Sequence, residues 1–309
     1  MRHLDYINST LKKLLSENQD LYIIGEDIID PYGGAFKATK GLSTLFPKNV
    51  FNTPISEAGI IGFGSGMAMS GKKMIIEIMF GDFLSLGFDQ ILNNTSKFKW
   101  LYNDLKIPLI IRTPMGGYRG YGATHSQSIE KHFCGIPNFN VITLDRYSDI
   151  ELIYRDALKS NSPTLIIENK SLYGKSQKTN KDLPKQKHSD ILCVSYGGLV
   201  DLCVDASNEI LVEEEINVTV FNVNFLNPFN KDDIINLTNS SKKLLFVEES
   251  CGDWGFSDMC RSALVGINDI FVDTIKGPNH PIPSSKALEN EVMPSKEKIK
   301  NSIKKLYDL

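Results

Sequence analysis

The chain has few cysteines and no long apolar run. Its 309 residues include five widely spaced cysteines without a Cys-x-x-Cys pair, namely Cys134, Cys193, Cys203, Cys251 and Cys260. An odd, scattered set argues against a disulfide framework and against a zinc site. No stretch approaches the ~20 apolar residues that a membrane helix needs, and the first residues, Asp5 among them, lack the apolar core of a signal peptide. We therefore expect a cytoplasmic protein.

An excess of charge of one sign is also missing. The chain carries 37 acidic and 34 basic residues, so its formal net charge is −3. Proteins that bind nucleic acids usually concentrate positive charge on one face. The composition therefore gives no electrostatic support for a nucleic-acid partner.

Phosphate-binding motifs are missing as well. The chain contains neither a Walker loop nor a Gly-x-Gly-x-x-Gly fingerprint. Gly81-Asp82 ahead of Asn93-Asn94 faintly resembles a diphosphate and magnesium motif, but the third glycine is missing and the interval is too short. The sequence thus predicts no metal site here, and the phosphates of any bound cofactor must be held from elsewhere.

What the sequence does contain is an alternation of apolar strands and helices. Apolar runs predict strands at 21–25, 74–79, 107–111, 140–144 and 164–168. Helical spacing predicts helices at 4–15, from about Ile60, over 83–101 and over 149–159. Continuous apolar strands separated by helices are typical of a parallel sheet covered on both faces, so the fold class is α/β.

A change of composition divides the chain. Between residues 170 and 188 lie six lysines and a single acid, Asp182, without apolar periodicity. This pattern favours a solvated interdomain linker, since a nucleic-acid patch would carry interleaved aromatic residues. Strands at 191–194, 218–221, 243–247 and 270–272 follow, with helices to about 215, at 257–265 and from Ser295. We expect domains at 1–170 and 189–309, joined by a linker at 171–188.

Glu57 has the most informative local setting. It lies in Thr53-Pro54-Ile55-Ser56-Glu57-Ala58-Gly59, directly ahead of a run of small residues. A carboxylate buried without a partner would cost several kcal/mol or become neutral. One interpretation is a helix-capping glutamate near the surface. The other is a carboxylate that hydrogen-bonds a heterocyclic nitrogen of a buried cofactor and governs its protonation.

Three further residues have both a plain and a functional interpretation. His125 follows a strand and a glycine-rich loop, which is where open α/β sheets bind ligands, although it could be a surface or capping histidine. Asp82 and Phe83 follow another strand. They are either an N-cap acid and a core aromatic, or they present an aromatic face that stacks on a planar cofactor ring.

Ten short motifs resemble those of one protein family, in the same order and over residues 3–307. They are Gly25-Glu26-Asp27, Gly41-Leu42 before Phe46-Pro47, Thr53-Pro54-Ile55-Ser56-Glu57, Glu77-Ile78-Met79-Phe80-Gly81-Asp82-Phe83, Asp89-Gln90-Ile91-Leu92-Asn93, His125-Ser126-Gln127-Ser128-Ile129-Glu130, Ser195-Tyr196-Gly197, Leu226-Asn227-Pro228, Val247-Glu248-Glu249 and Pro281-Ile282-Pro283. Each motif is weak alone, but their order and spacing are specific. The chain resembles the beta subunit of the thiamine-diphosphate-dependent decarboxylating component of 2-oxoacid dehydrogenase complexes, a family that includes the pyruvate, branched-chain and acetoin enzymes.

The resemblance implies two parallel-sheet, three-layer domains, a pyrimidine-binding domain followed by a transketolase C-terminal-like domain. It implies that Glu57 hydrogen-bonds the aminopyrimidine ring of thiamine diphosphate and promotes the imino tautomer that removes the thiazolium proton. Phe83 would stack on the pyrimidine, with Ile55 and Met79 at neighbouring pocket positions. His125 would face the substrate and the reaction intermediate, so the implied catalytic residues are Glu57 and His125.

The resemblance also implies partners and ions. Magnesium and the diphosphate would be held by a separate alpha subunit, with the cofactor across the interface of an α2β2 heterotetramer. A potassium ion bound by main-chain oxygens in some relatives would fall near Leu109, Ala157, Leu158, Ser160 and Ser162, although Ser160 stands where an aspartate is common.

Three functions remain open from the sequence. The first is decarboxylation of a 2-oxoacid with transfer of the acyl unit to a lipoyl-bearing acyltransferase. The second is a split transketolase-like or carboligating enzyme that transfers the unit to an aldehyde or ketone. It is favoured by Asn222-Val223-Asn224-Phe225, which stands where the family usually has Asp-Leu-Arg-Thr. The third is a non-catalytic structural subunit, against which the retention of Glu57, Phe83 and His125 argues.

Overall fold

Two largely parallel sheets form the framework of the protein, in a computed structural model that describes residues 1–103, 105–160, 162–184 and 188–309. Within these residues the larger sheet has seven strands, in the spatial order β2 (Val50–Asn52), β1 (Leu21–Gly25), β3 (Lys73–Glu77), β4 (Leu109–Met115), β6 (Thr164–Asn169), β5 (Asn140–Leu144) and β9 (Phe225–Asn227). The smaller sheet has four, in the order β11 (Phe271–Gly277), β10 (Lys243–Cys251), β7 (Ile191–Ser195) and β8 (Val218–Asn222). The pairings are parallel except that of β5 with β9.

Helices cover these sheets. In the described residues the α-helices are α1 (His3–Glu17), α2 (Leu42–Leu45), α3 (Glu57–Met69), α4 (Phe98–Leu101), α5 (Lys131–Cys134), α6 (Ile150–Lys159), α7 (Leu199–Glu214), α8 (Lys231–Leu237), α9 (Phe256–Ala263), α10 (Lys286–Val292) and α11 (Lys296–Tyr307). The predicted α/β class with two covered parallel sheets is confirmed.

The alternation of side chains along the strands builds the layers. Ile75 of β3 joins the apolar core under α1 and α6, whereas its neighbour Ile76 joins the core under α3. Successive strand residues point to opposite faces, so both faces of the larger sheet are buried. The core under α3 continues to Phe246 of β10 and Phe256 of α9, so the two sheets share it.

The single helix predicted over 83–101 is wrong. A 3₁₀ helix at Gly81–Gly87, a π-helical stretch at Gln90–Thr95 and the short α4 take its place. A methyl group at Gly87 would overlap Ile61 of α3, and the hydroxyls of Ser65 and Thr95 hydrogen-bond at 2.7 Å across the same contact. The close approach of α3, which local periodicity does not report, determines this backbone path.

The predicted solvated linker is wrong for its first residues. Leu172 and Tyr173 are buried, as is Lys170 just before them, and the Tyr173 hydroxyl donates to Glu168 Oε2 at 2.7 Å. Residues from Gly174 to 182 are exposed or half-buried, and 185–187 lie outside the described residues. The domain boundaries at 1–170 and 189–309 stay a prediction.

Candidate active site

The candidate site lies at the carboxyl edge of the larger sheet. Since β1, β3 and β4 are parallel neighbours, the segments that follow them leave the sheet at the same edge. These segments carry Glu26, Phe83 and His125. Ligands of open α/β sheets bind at this edge, so the topology alone brings two of the predicted residues, Phe83 and His125, into one region with Glu26.

A buried ion cluster joins the strands beneath this edge. Arg112 of β4 donates Nε and Nη2 to the two carboxylate oxygens of Glu168 at 2.8 and 2.5 Å, and Nη1 to Glu77 of β3. The hydroxyls of Tyr154 and Tyr173 each donate to Glu168 at 2.7 Å. Because these buried charges are paired and hydrogen-bonded, the cluster fixes β3, β4 and β6 relative to one another.

Glu57 is the first residue of α3. The N-cap is Ser56, whose Oγ accepts a hydrogen bond from the Gly59 amide at 3.2 Å. The plainer interpretation required a capping residue near the surface. Glu57 is neither, because Ser56 is the N-cap and Glu57 is only 8% exposed. Glu57 thus lies in the first turn, at the positive end of the helix.

Glu26 is a second acid that faces the same region. Burial raises the pKa of Glu26, and the negative charges of Asp27 and Glu57 raise it further. The sequence showed Glu26 only as part of a motif. Its proximity to Glu57 follows from the packing of α3 against β1, for which the local sequence carries no signal.

Phe83 and His125 are in direct contact. The imidazole of His125 packs edge-on against Phe83, with ring centroids 5.2 Å apart, and against Phe80, with centroids 4.6 Å apart. Its Nδ1 hydrogen-bonds Thr124 Oγ1 at 2.8 Å. The structure therefore brings these two predicted site residues together and adds Phe80 as a second ring that orients the histidine.

Lys170 and Asp82 support the backbone around His125. Lys170 is fully buried, and its Nζ donates to the His125 carbonyl oxygen at 2.7 Å and lies 5.3 Å from the centroid of the Phe80 ring. Asp82 Oδ1 accepts a hydrogen bond from the backbone N–H of Gln127 at 3.3 Å. Lys170 directly precedes the predicted solvated linker, and its lysine-rich surroundings in the sequence gave no sign of burial.

Burial shifts the pKa values of Lys170 and Asp82 in opposite directions. Burial lowers the pKa of Lys170 to about 8, while the negative charge of Asp82 opposes that shift. Burial raises the pKa of Asp82, and the charge of Lys170 opposes this in turn. Each side chain therefore favours the charged form of the other.

Ile55 and Met79 complete the predicted cofactor-binding set. Ile55 is 76% exposed, on the loop that leads into α3, and Met79 is half-buried, just beyond β3. Gly87 of the 3₁₀ helix that carries Phe83 packs against the backbone of Glu57. The loop, α3 and the 3₁₀ helix thus line one open region, whose contact with a cofactor stays a prediction.

The predicted potassium region lies at the other edge of the sheet. Leu109 begins β4, and Ala157 and Leu158 lie near the end of α6, which packs on that strand. Ser160 Oγ accepts from the Ser162 amide at 3.1 Å, and residue 161 between them lies outside the described residues. In the described parts of the chain, no group of three or more His, Cys, Asp or Glu side chains is arranged to hold a metal.

The chemistry of these residues fits the aminopyrimidine part of thiamine diphosphate. A planar heterocycle requires a carboxylate for a ring nitrogen, a flat aromatic face and an apolar contact. Glu57, Phe83 and Ile55 are of these three kinds. The large exposure of Ile55 leaves one side of the region open to a second surface.

Comparisons with known proteins extend over almost the whole chain. The family described as transketolase, pyrimidine binding domain, matches residues 2–176, and that described as transketolase, C-terminal domain, matches residues 181–299. The chain is 28% identical to the beta-1 subunit of the mitochondrial pyruvate dehydrogenase E1 component of Arabidopsis thaliana, over 97% of this chain and 88% of the relative. It is also 28% identical to the 2-oxoisovalerate dehydrogenase subunit beta of Bacillus subtilis, over 100% of this chain and 99% of the relative.

Two further comparisons are with an oxidoreductase subunit and with a solved structure. The acetoin:2,6-dichlorophenolindophenol oxidoreductase subunit beta of Bacillus subtilis is 28% identical, over 96% of this chain and 94% of the relative. A solved split-gene transketolase, described as an inactive beta4 tetramer, matches with a TM-score of 0.80 and 19% identity, over 98% of this chain and 97% of that chain. The latter shows a shared fold.

A helix that is long and apolar enough to cross a membrane is not found in the described residues. The two family matches account for both sheets, and the relatives confirm the resemblance drawn from the motifs. The chain belongs to the transketolase family, with a pyrimidine-binding and a C-terminal domain, and its homologues include the E1 beta subunits of 2-oxoacid dehydrogenases.

Proposed function

We propose that the chain is the beta subunit of a thiamine-diphosphate-dependent enzyme that decarboxylates a 2-oxoacid and passes on the resulting acyl unit. The proposal rests on one observation. In a homologue of E1 beta subunits, the buried Glu57 lies at the same edge of the larger sheet as Phe83 and His125, which are in contact with each other. An alpha-type subunit would hold the diphosphate and magnesium, in an α2β2 heterotetramer. A lipoyl-bearing acyltransferase would accept the acyl unit.

Glu57 would control a proton at the cofactor ring. Its carboxylate is shielded from water and lies at the start of α3, a rigid position for a hydrogen bond to a ring nitrogen. Phe83 would hold the ring plane, with Ile55 and Met79 as apolar contacts. Thiamine diphosphate, when bound, supplies the electron sink for decarboxylation.

His125 would act on the substrate. Phe80 and Phe83 hold its ring edge-on, and Thr124 hydrogen-bonds Nδ1, which leaves Nε2 as the nitrogen directed to a ligand. A histidine can orient a substrate carboxylate or move a proton near neutral pH.

The open side of the site supports the proposal of a partner subunit. Ile55, Phe63 and Leu86 are 76%, 53% and 62% exposed. A cavity of about 360 Å³ beside them is lined by Phe51, Asn52, Thr53, Pro54, Ser56, Gly59, Ile60 and Phe63. Clustered apolar surface of this kind is usually covered by another protein or a ligand. The alpha-type subunit would cover it and close the cofactor site.

Co-expression with an alpha-type subunit from the same genome tests the proposal. We expect the purified complex to reduce an artificial electron acceptor with at least one 2-oxoacid, in a reaction that requires thiamine diphosphate and magnesium. The chain alone serves as control, because it has no phosphate-binding motif and should bind the cofactor poorly in calorimetry. Tight magnesium-dependent binding by the chain alone would contradict the divided site.

A second candidate is transfer of the unit to an aldehyde or ketone, as in a split transketolase-like or carboligating enzyme. Asn222 and Asn224, which stand in the segment that departs from the family pattern, turn their amides inward and donate to Asp145 Oδ2 at 2.8 and 3.1 Å. Neutral amides therefore stand where the family pattern has an aspartate and an arginine. Adding aldehydes, ketones or a lipoyl domain as acceptors to the same complex separates the two candidates.

The cellular location and the potassium ion belong to the same proposal. The five cysteines are free thiols, which agrees with a reducing compartment such as the cytoplasm. Potassium would bind main-chain oxygens near Ala157 and Ser160. Replacing potassium with sodium in the assay of the complex tests this ion separately.

A further inference from the structure

The backbone that carries His125 is attached from two sides. We call residues 125–127 the histidine segment. Lys170, just after β6, donates its Nζ to the carbonyl oxygen at one end of this segment, at 2.7 Å. At the other end of the segment, the backbone N–H of Gln127 donates to Oδ1 of Asp82, in the 3₁₀ helix after β3, at 3.3 Å. Two different strand ends thus hold one short loop.

These attachments matter because the imidazole of His125 has few contacts of its own. It touches the rings of Phe80 and Phe83 and hydrogen-bonds Thr124, its sequence neighbour. Since Thr124 belongs to the same loop, that bond does not anchor the loop to the sheet. The ring direction therefore depends on where the backbone of the histidine segment is held, as well as on the two aromatic rings.

We propose that Lys170 and Asp82 are positioning residues that hold the histidine segment, so that His125 faces the substrate; this inference rests on the proposed function. Lys170 is fully buried beneath the segment, and its Nζ lies 5.3 Å from the centroid of the Phe80 ring, so it acts through the His125 carbonyl and not by touching the substrate. Asp82 supplies the opposite charge.

The charges around Lys170 support this role over that of an ordinary surface lysine. Asp82, Glu249 and Glu289 raise the pKa of Lys170, whereas burial, the largest effect, and Arg119 lower it to about 8. Arg119 also donates Nη2 to the Lys170 carbonyl oxygen at 2.9 Å. A buried ammonium is costly for a fold and is retained where its hydrogen bond has a use.

The test uses Lys170→Met, which removes the donor at similar volume, and Lys170→Arg, which keeps a charged donor. Lys178→Met is the matched control, because Lys178 lies in the same segment of the chain and its Nζ approaches Tyr147 Oη at 3.4 Å, away from the histidine segment. Asp82→Ala removes the second attachment. All variants are assayed in the assembled complex and as single chains.

We expect Lys170→Met to lower kcat by about 10- to 100-fold, the range for a catalytic group displaced by up to 1 Å. Deuterium exchange at the thiazolium carbon should change little, because Glu57 is not affected. Lys170→Arg should recover most of the loss, and Lys178→Met should match the wild type. Asp82→Ala should lower kcat in the same way.

A second readout does not require the loaded enzyme. In single chains with ¹³C-labelled histidine, the His125 resonance, assigned by its loss in His125→Ala, should move in Lys170→Met and not in Lys178→Met. A wild-type kcat and an unmoved resonance would overturn the inference. If the wild-type complex decarboxylates no 2-oxoacid, the proposed function fails, and the resonance alone decides the positioning role. If Lys170→Met does not fold, Asp82→Ala decides by the same two readouts.

Discussion

Glu57 and His125 have different surroundings, and the difference separates the steps that each can affect. Glu57 is buried at the start of a helix, in reach of the charge of Glu26. His125 is half-buried on a loop, between two aromatic rings. The first setting suits control of a cofactor proton, and the second suits contact with a substrate that enters and leaves.

His125→Ala should therefore impair turnover without impairing cofactor activation. The imidazole is not required for removal of the thiazolium proton if Glu57 governs that step, so exchange at the thiazolium carbon should stay near the wild-type rate. Overall turnover should fall by about 10²–10⁴, the range for a positioned acid–base group. Exchange measured by NMR and acceptor reduction measured on the same complex provide both readouts. Slow exchange, or normal turnover, would each contradict this division of roles.

Single-residue patterns in the sequence gave part of the candidate site. Glu57 was predicted because it lies directly ahead of a run of small residues, Phe83 because it follows a strand, and His125 because it follows a strand and a glycine-rich loop. Lys170 was missed, because its burial depends on the histidine segment folding over it, a contact across 45 positions. Sequence periodicity reports the face of an element and not the neighbour that covers it.

Among the elements, the strands were predicted best and the segment between β3 and β4 worst. Buried parallel strands are continuous apolar runs, whose signal is local. The 3₁₀ and π-helical turns at Gly81–Gly87 and Gln90–Thr95 depend on contact with α3. β9 was missed because three residues form it, and its partner β5 lies in the other half of the chain.

The stability of the strand ends beneath the site should depend on Arg112. Arg112→Met leaves the carboxylates of Glu77 and Glu168 buried without their cation, which costs about 3–5 kcal/mol of stability. Arg155→Met is the matched control, because Arg155 pairs with Glu17 and Glu151 at the surface, where such pairs contribute about 0–1 kcal/mol. Chemical unfolding of the single chains measures both. Equal losses in the two variants would contradict a structural role for the buried cluster.

In the molecule as a whole, buried acidic side chains form hydrogen bonds across the contact between the two sheets. Tyr196, just after β7, donates its hydroxyl to Glu130 Oε1, and Glu249 of β10 accepts from the Gly117 amide at 2.5 Å. Glu130 Oε2 is buried and has no hydrogen-bond partner among the described residues. The contact between the sheets thus includes buried polar groups as well as the shared apolar core.

Glu130 should make stability depend on pH. Burial raises the pKa of Glu130 from 4.5 to about 7. Between these values the folded chain keeps a proton that the unfolded chain has lost, so stability falls as the pH rises from 4.5 to 7 and stays lower above it. The full effect is about 3 kcal/mol.

Glu130→Gln should remove that dependence, since an amide does not titrate. Melting temperatures at pH 5.5 and 8 should differ less in this variant than in the wild type. Glu214→Gln, which alters an exposed pair with Lys304, should retain the wild-type difference. An unchanged difference in Glu130→Gln would show that Glu130 does not titrate in this window.

We propose that Glu57 activates a cofactor that the chain shares with a partner subunit. Deuterium exchange at the thiazolium carbon, measured in the assembled complex for the wild type and for Glu57→Gln, tests it most directly. We predict that exchange slows by about 10²–10⁴ in the variant, while the complex still assembles and binds thiamine diphosphate. Exchange at the wild-type rate in Glu57→Gln would contradict the account.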